Sequence, residues 1–315
     1  MRARHESVLL AEVLDLFAPV AGRRGAILVD CTLGLGGHAA ALLERFPAAA
    51  LVGIDRDRRA LELAAQRLAP FGERVRLARG RFSELERTLD ALGVGRVQGI
   101  LADLGVSSMQ LDTAGRGFSF QHDGPLDMRM GGDEEGEVMT AHEVLRSYSE
   151  KELRRLLRLY GEELNARQIA RAIVECRAER PLETTGELRR LIEQAKPAPR
   201  RGRKSVHPAT QTFQALRIEV NRELDELREL LDQSVRRLES DGRLVLISYH
   251  SLEDRMVKHT LRHLATGEIE PVTGRPRAET RVIEVLTRKV VRPGAEEVSR
   301  NPRGRSARLR AARRL

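Results

Sequence analysis

Four short apolar runs, each ending near a polar or acidic residue, fall within the first 103 residues, and an amphipathic stretch follows each of the first three. Strands that alternate with helices in this way build a parallel sheet, because each helix carries the chain back to start the next strand alongside the last. The apolar runs predict strands over 26–30, 50–55, 75–78 and 97–103. The spacing between them predicts helices over 38–46, 58–68 and 82–92, and a glycine loop, Gly34 to Gly37, joins the first strand to its helix. The fold class is therefore α/β.

Past the fourth strand the rhythm breaks. Residues from about 113 to 136 are rich in Gly, Asp and Pro, and from 141 to about 196 the apolar spacing is helical. Leu153, Leu156, Leu157 and Tyr160 share one helical face, as do Ile169, Ala172 and Ile173. A single long helix over about 210–238 is expected to return the chain to the sheet. Asp241 and Gly242 then turn into a fifth strand over 243–248, and the alternation over 282–287 suggests a late antiparallel strand. The expected organisation is a discontinuous α/β domain, 1–112 with 212–315, interrupted by a helical insertion over 113–211.

Composition narrows the partners. The net charge is +9 and the isoelectric point about 10.3, which suits a polyanion. The stretch 299–315 holds seven arginines and no acid, and 196–208 is a second basic run. Both read as Pro- and Gly-punctuated segments that order on a phosphate backbone. Aromatics make up only 3% and Trp is absent, so no stacking platform for single strands is evident. The two cysteines, Cys31 and Cys176, form no metal-ligand or disulfide pattern, and no metal site is expected. No apolar run of membrane-spanning length occurs and the first residues are charged, so a cytoplasmic protein without membrane contact is expected.

Ligands of open parallel sheets bind beyond the carboxyl ends of the strands. Here those ends carry Asp30 and the glycine loop, Asp55, Gly80-Arg81-Phe82, Asp103, and Ser248-Tyr249-His250. Glycines admit close backbone approach, a strand-end acid accepts both ribose hydroxyls, and an aromatic can lie against an adenine. Each residue has a plainer reading: Asp55 as a helix cap, Phe82 as core, His250 as a structural histidine. Together they describe a nucleoside pocket. Gly34-x-Gly36-x-x-Ala39 with Asp55 downstream also fits a dinucleotide fingerprint, so a nicotinamide dehydrogenase is a rival. The helical block where a second mononucleotide half should stand argues against it.

Several longer segments carry a resemblance. They are His5-Glu6-Ser7-Val8-Leu9-Leu10, Gly34-Leu35-Gly36-Gly37-His38, Ala102-Asp103-Leu104-Gly105-Val106-Ser107-Ser108, Gln110-Leu111-Asp112 and Gly117-Phe118-Ser119-Phe120. Gly124-Pro125-Leu126-Asp127-Met128-Arg129-Met130, Phe213 to Asn221, Ser248 to Arg255 and Asn301 to Ala307 continue the set. In this order, nearly end to end, the chain resembles the MraW-type family of 16S ribosomal RNA (cytosine-N4)-methyltransferases. The resemblance implies a Rossmann-like S-adenosylmethionine-dependent methyltransferase domain with an inserted helical domain for RNA recognition. It implies methylation of a cytidine N4 amine in the decoding region of 16S ribosomal RNA, on the small ribosomal subunit or its RNA. It also implies cofactor contacts at Gly36, Gly37, His38, Asp55, Phe82, Asp103 and Gln110. Asp103, Asp127 and His250 are the candidates for handling the N4 proton. A DNA amino-methyltransferase and a non-catalytic ribosome-assembly factor are the alternatives. Leu104-Gly105-Val106 stands where the former carries Pro-Pro-Tyr/Phe, and the intact loop and acids argue against the latter. Oligomeric state is not legible, since helical insertions serve dimers and RNA equally.

Overall fold

A computed structural model describes residues 7–132, 138–196, 207–271 and 273–315. The chain divides into two compact units, Met1–Gly105 with Leu224–Leu315, and Val106–Glu223. The sequence placed the exchange points at 112/113 and 211/212 instead. The difference follows from packing. Val106 and Leu111 pack on the core of the second unit, and Phe213, Leu216 and Val220 are buried within it.

The first unit holds a seven-stranded sheet in the order β3-β2-β1-β4-β5-β7-β6. Strands β1 (Ile27–Asp30), β2 (Ala50–Asp55), β3 (Val75–Arg79), β4 (Val97–Asp103) and β5 (Leu238–Ser248) run parallel. Apolar residues of β1, β2, β4 and β5 are buried on both faces, as covered parallel strands require, whereas those of the outermost strand β3 are only half-buried. Helices α1 (Leu10–Ala21), α2 (Gly37–Arg45), α3 (Arg58–Leu68), α4 (Leu85–Ala91), α11 (Glu223–Arg237) and α12 (Ser251–Thr266) accompany the sheet, which carries a separate apolar cluster on each face. The chain winds outward from β1 to β3, then resumes on the other side of β1 with β4. That reversal opens a crevice at the carboxyl ends of β1 and β4. After β5, only antiparallel strands remain: β6 (Ile283–Val285) pairs with β7 (Arg308–Arg314), and β7 with β5. Among the described residues, the second parallel half that a dinucleotide needs does not form.

The C-terminal stretch departs most from expectation. Instead of remaining a loop or tail, the residues after α13 (Ala295–Arg300) form a short 3₁₀ turn and then β7, an interior strand. Ala307, Leu309, Ala311 and Ala312 are buried. The arginines between them meet acids far away in sequence: Arg310 pairs with Asp254 at 2.7 Å, and Arg313 with Asp241 at 2.8 Å and Glu284 at 2.7 Å. A run without local acids therefore reads as wholly free charge although the fold pairs Arg310 and Arg313 with acids. The other basic run, 196–208, lies outside the described residues over 197–206.

The second unit is helical: α5 (Ser108–Asp112), α6 (Ala141–Ser147), α7 (Glu150–Gly161), α8 (Ala166–Glu179), α9 (Thr185–Ala195) and α10 (Thr210–Asn221). Thr140, Ser149 and Thr184 each stand three residues before a glutamate and close reciprocal capping boxes at the starts of α6, α7 and α9. The expected single helix over 210–238 is two helices. Arg222 adopts a left-handed conformation (φ 51°). Asn221 fixes that end from within: its amide donates to Met128 O at 2.8 Å and accepts from Met130 N–H at 2.8 Å. No helix among the described residues is long and apolar enough to cross a membrane.

Candidate functional site

The strand ends of the first unit carry three carboxyl groups on neighbouring strands: Asp55 on β2, Asp30 on β1 and Asp103 on β4. Between the first two runs the glycine loop. Gly34 and Gly36 take positive φ (52° and 72°), which side chains disfavour. A Cβ on Gly37 would run into Ser7 Oγ. The loop thus brings bare backbone to the start of α2, where amide N–H groups lack helical partners.

Asp55 ties this loop to β2. Its Oδ2 accepts the Gly34 N–H at 2.7 Å and its Oδ1 the Asp57 N–H at 2.9 Å. Burial pushes its pKa up, against the pull of those two donors. Asp103 lies at the centre of a second network. Its own N–H donates to Thr32 Oγ1 at 2.6 Å, and its Oδ1 accepts the Tyr249 hydroxyl at 2.9 Å. Burial raises its pKa to about 7, and the Tyr249 hydrogen bond restrains the rise. The side chain still keeps 23% of its surface open. The phenol of Tyr249 is itself driven up, by burial first and then by Asp103.

Asp30 is buried, accepts the Thr32 N–H at 3.1 Å, and is raised by burial to about 6, with His38 opposing and Asp103 and Asp55 reinforcing the rise. His38, in the first turn of α2, is buried, and burial lowers its pKa. Its Nε2 donates to the Val8 carbonyl at 2.9 Å, so the neutral ring keeps its proton there and turns the Nδ1 lone pair toward Asp103 Oδ2, 3.9 Å away. Phe82 opens a 3₁₀ turn after β3 and packs, half-buried, on the apolar cluster of one sheet face.

The fold therefore brings Gly36, Gly37, His38, Asp55, Phe82 and Asp103 to one edge of the sheet. The other expected residues stand differently. His250 caps α12: its Nδ1 accepts the Glu253 N–H at 3.4 Å, and its Nε2 lies 3.2 Å from Glu253 Oε1, with both side chains buried. Asp127, in the second unit, is gripped by Arg129 through Nε at 2.9 Å and a second nitrogen at 2.7 Å. Gln110, also in the second unit, closes the capping box of α5 with Ser107 and donates to Met130 O at 3.2 Å. Sequence reasoning missed Thr32 and Tyr249 as members of the Asp103 network, and it left Asp30 among the strand ends without a role. All three sit at or just past the ends of β1 and β5, which was the available signal. The bond from Tyr249 to Asp103 spans 146 positions.

The profile of the MraW methylase family matches residues 2–315. The ribosomal RNA small subunit methyltransferase H of Geotalea uraniireducens is 50% identical over 317 residues, covering 99% of this chain and 98% of its own. That of Thermobifida fusca is 49% identical over 311 residues, covering 98% of this chain and 93% of its own. A match of this extent, on a chain whose sheet edge gathers a glycine loop and strand-end acids, places the chain in the MraW methylase family.

Proposed function

We propose that this protein transfers a methyl group from S-adenosylmethionine to the exocyclic N4 of a cytidine in the decoding region of 16S ribosomal RNA. The observation that carries the cofactor reading is the set of three carboxyl groups around a glycine loop. A dinucleotide would bring an anionic pyrophosphate to these acids, whereas S-adenosylmethionine brings a sulfonium and an ammonium. Bound there, it supplies an electrophilic methyl group. Asp55 is suited to accept both ribose hydroxyls, with Gly36, Gly37 and His38 along the remainder and Phe82 against the adenine. Gln110 completes the set that the family resemblance implies. Similarity to relatives named as ribosomal RNA small subunit methyltransferase H supports the RNA substrate.

The cytidine amine is a poor nucleophile because its lone pair is delocalised into the ring. The protein must hold nitrogen, methyl and sulfur in line and hydrogen-bond the amine so that the lone pair faces the methyl. Of the three proton-handling candidates, Asp103 keeps an oxygen without a hydrogen bond on a side chain that is still partly open. Both oxygens of Asp127 hold Arg129, and His250 is buried, its Nδ1 accepting the Glu253 N–H and its Nε2, which lacks a hydrogen bond, lying against Glu253 Oε1. Asp103 is therefore the group assigned to accept a hydrogen bond from the amine, and Tyr249 is the residue that aims it.

Labelled S-adenosylmethionine, incubated with small subunits from cells lacking this methylation, tests the reading. N4-methylcytidine in the nucleoside digest, absent with Asp55→Ala, is the expected result. Cofactor binding without any labelled nucleoside would refute it.

A further inference from the structure

The retention of 308–314 inside the sheet leaves open where this basic chain presents its charge. Helix α7 answers it. Lys151, Arg154, Arg155 and Arg158 stand at i, i+3, i+4 and i+7, so they share one stripe of the helix surface. The opposite side, with Leu153, Leu156, Leu157 and Gly161, is buried in the second unit's core. All four cations are exposed, and among the described residues none makes a hydrogen bond or an ion pair. The acids on α7 make no ion pair with them: Glu152 closes the capping box with Ser149, and Glu150, four residues before Arg154, makes no hydrogen bond or ion pair among the described residues.

Some exposed arginines elsewhere in both units are answered by acids, although others, Arg24 and Arg96 among them, are not. Arg171 pairs with Glu175, Arg189 with Glu193, Arg228 with Asp225 and Arg236 with Glu86. Within the stripe the neighbours at i+3 and i+4 are like charges, an arrangement that opposes helix formation and that Glu150 and Glu162, each four residues from a stripe arginine, offset only at its ends. Burial and capping hold the helix despite this repulsion. A rigid, self-repelling row of cations with a pitch of one helical turn is a feature that a phosphate backbone relieves.

We infer that the Lys151–Arg154–Arg155–Arg158 stripe of α7 is a docking surface for the sugar-phosphate backbone of the substrate RNA. The inference rests on the proposed RNA substrate. It assigns the phosphate-binding charge to a helix face of the second unit and not to the C-terminal stretch. Contacts of this kind supply affinity and register without base specificity.

The test compares two full-length variants that remove the same charge. Arg154→Ala/Arg158→Ala alters the stripe. Arg24→Ala/Arg96→Ala alters exposed arginines at the amino ends of β1 and β4, on the edge opposite the strand-end acids, which also lack partners among the described residues. Binding of 16S ribosomal RNA is measured against salt, with S-adenosylhomocysteine binding alongside. The stripe variant is expected to lose at least about tenfold in RNA affinity, and its slope of log K against log salt falls by roughly 1.4–1.8 for two lost phosphate contacts. KM for RNA rises, while kcat and cofactor affinity hold. Its melting midpoint does not fall, because alanine favours helix and a repulsive pair is gone. Lys151→Ala/Arg155→Ala serves as a second stripe variant should the first fail to fold. An RNA affinity unchanged, or reduced no more than in the Arg24/Arg96 variant, overturns the inference. The proposed reaction fails by a different result, absence of methyl transfer by the unaltered protein, so the two are separable.

Discussion

Asp103 is held at a cost. Its carboxyl has a pKa of about 7 in the folded chain against 3.8 in the reference state, so between those values the folded chain binds a proton that the unfolded chain releases. Stability from this group is fully present below pH 4 and is lost as pH rises toward 7. Asp103→Asn should therefore melt higher than the parent at pH 8, by roughly 2–4 °C per kcal/mol relieved, with the gain shrinking toward pH 4. A pH series of thermal melts checks this, and a gain independent of pH would contradict it. Tyr249→Phe removes the hydrogen bond that restrains the same carboxyl, so the pH midpoint for S-adenosylhomocysteine binding should move upward; calorimetry over pH reads it. Asp55→Ala removes charged hydrogen bonds worth about 1.5–3 kcal/mol each, so cofactor affinity should fall at least tenfold in the same assay. The residues at strand ends were legible one by one in the sequence. The pairing of Tyr249 with Asp103 was not, because no local pattern specifies which two strand ends meet.

At the scale of elements, the first four strands and their helices follow from apolar periodicity, and β2 and β4 keep the bounds that their sequence suggests. Close packing in these strands is exacting. A Cβ on Gly53 would sit 2.8 Å from Leu33 and 2.9 Å from Leu77. Gly53→Ala should cost on the order of 1–3 kcal/mol, read by urea denaturation. Two elements escape such reading. Strand β7 hides because arginine dominates its composition, and only its partners on β5 and β6 and the acids Asp254, Asp241 and Glu284 make an arginine-rich strand stable inside a sheet. Deleting 308–315 should therefore abolish soluble folded protein, monitored by circular dichroism and cofactor binding together. A folded truncation that had lost only RNA affinity would restore the phosphate-binding tail. The break at Arg222 hides for a related reason, since Asn221 ends the helix through backbone groups of Met128 and Met130 about ninety positions away.

At the scale of the molecule, the apolar clusters respect the division into units. Every residue of the helical core falls between Val106 and Val220, and both clusters of the sheet draw on the first unit alone. The fragment 106–223 should accordingly fold by itself, with a helical spectrum and a cooperative melt; a non-cooperative transition would show that its core needs the sheet. By itself the sequence determined the parallel α/β start, the helical insertion and the acids and glycines at strand ends, because periodicity and turn chemistry are local and each residue carries its share of the signal. Tertiary structure decided where the units exchange, which strand closes the sheet, which carboxyls and hydroxyls meet, and above all which of the many arginines are neutralised. Net charge is a sum over the sequence, but free charge depends on distances between residues that only the fold sets.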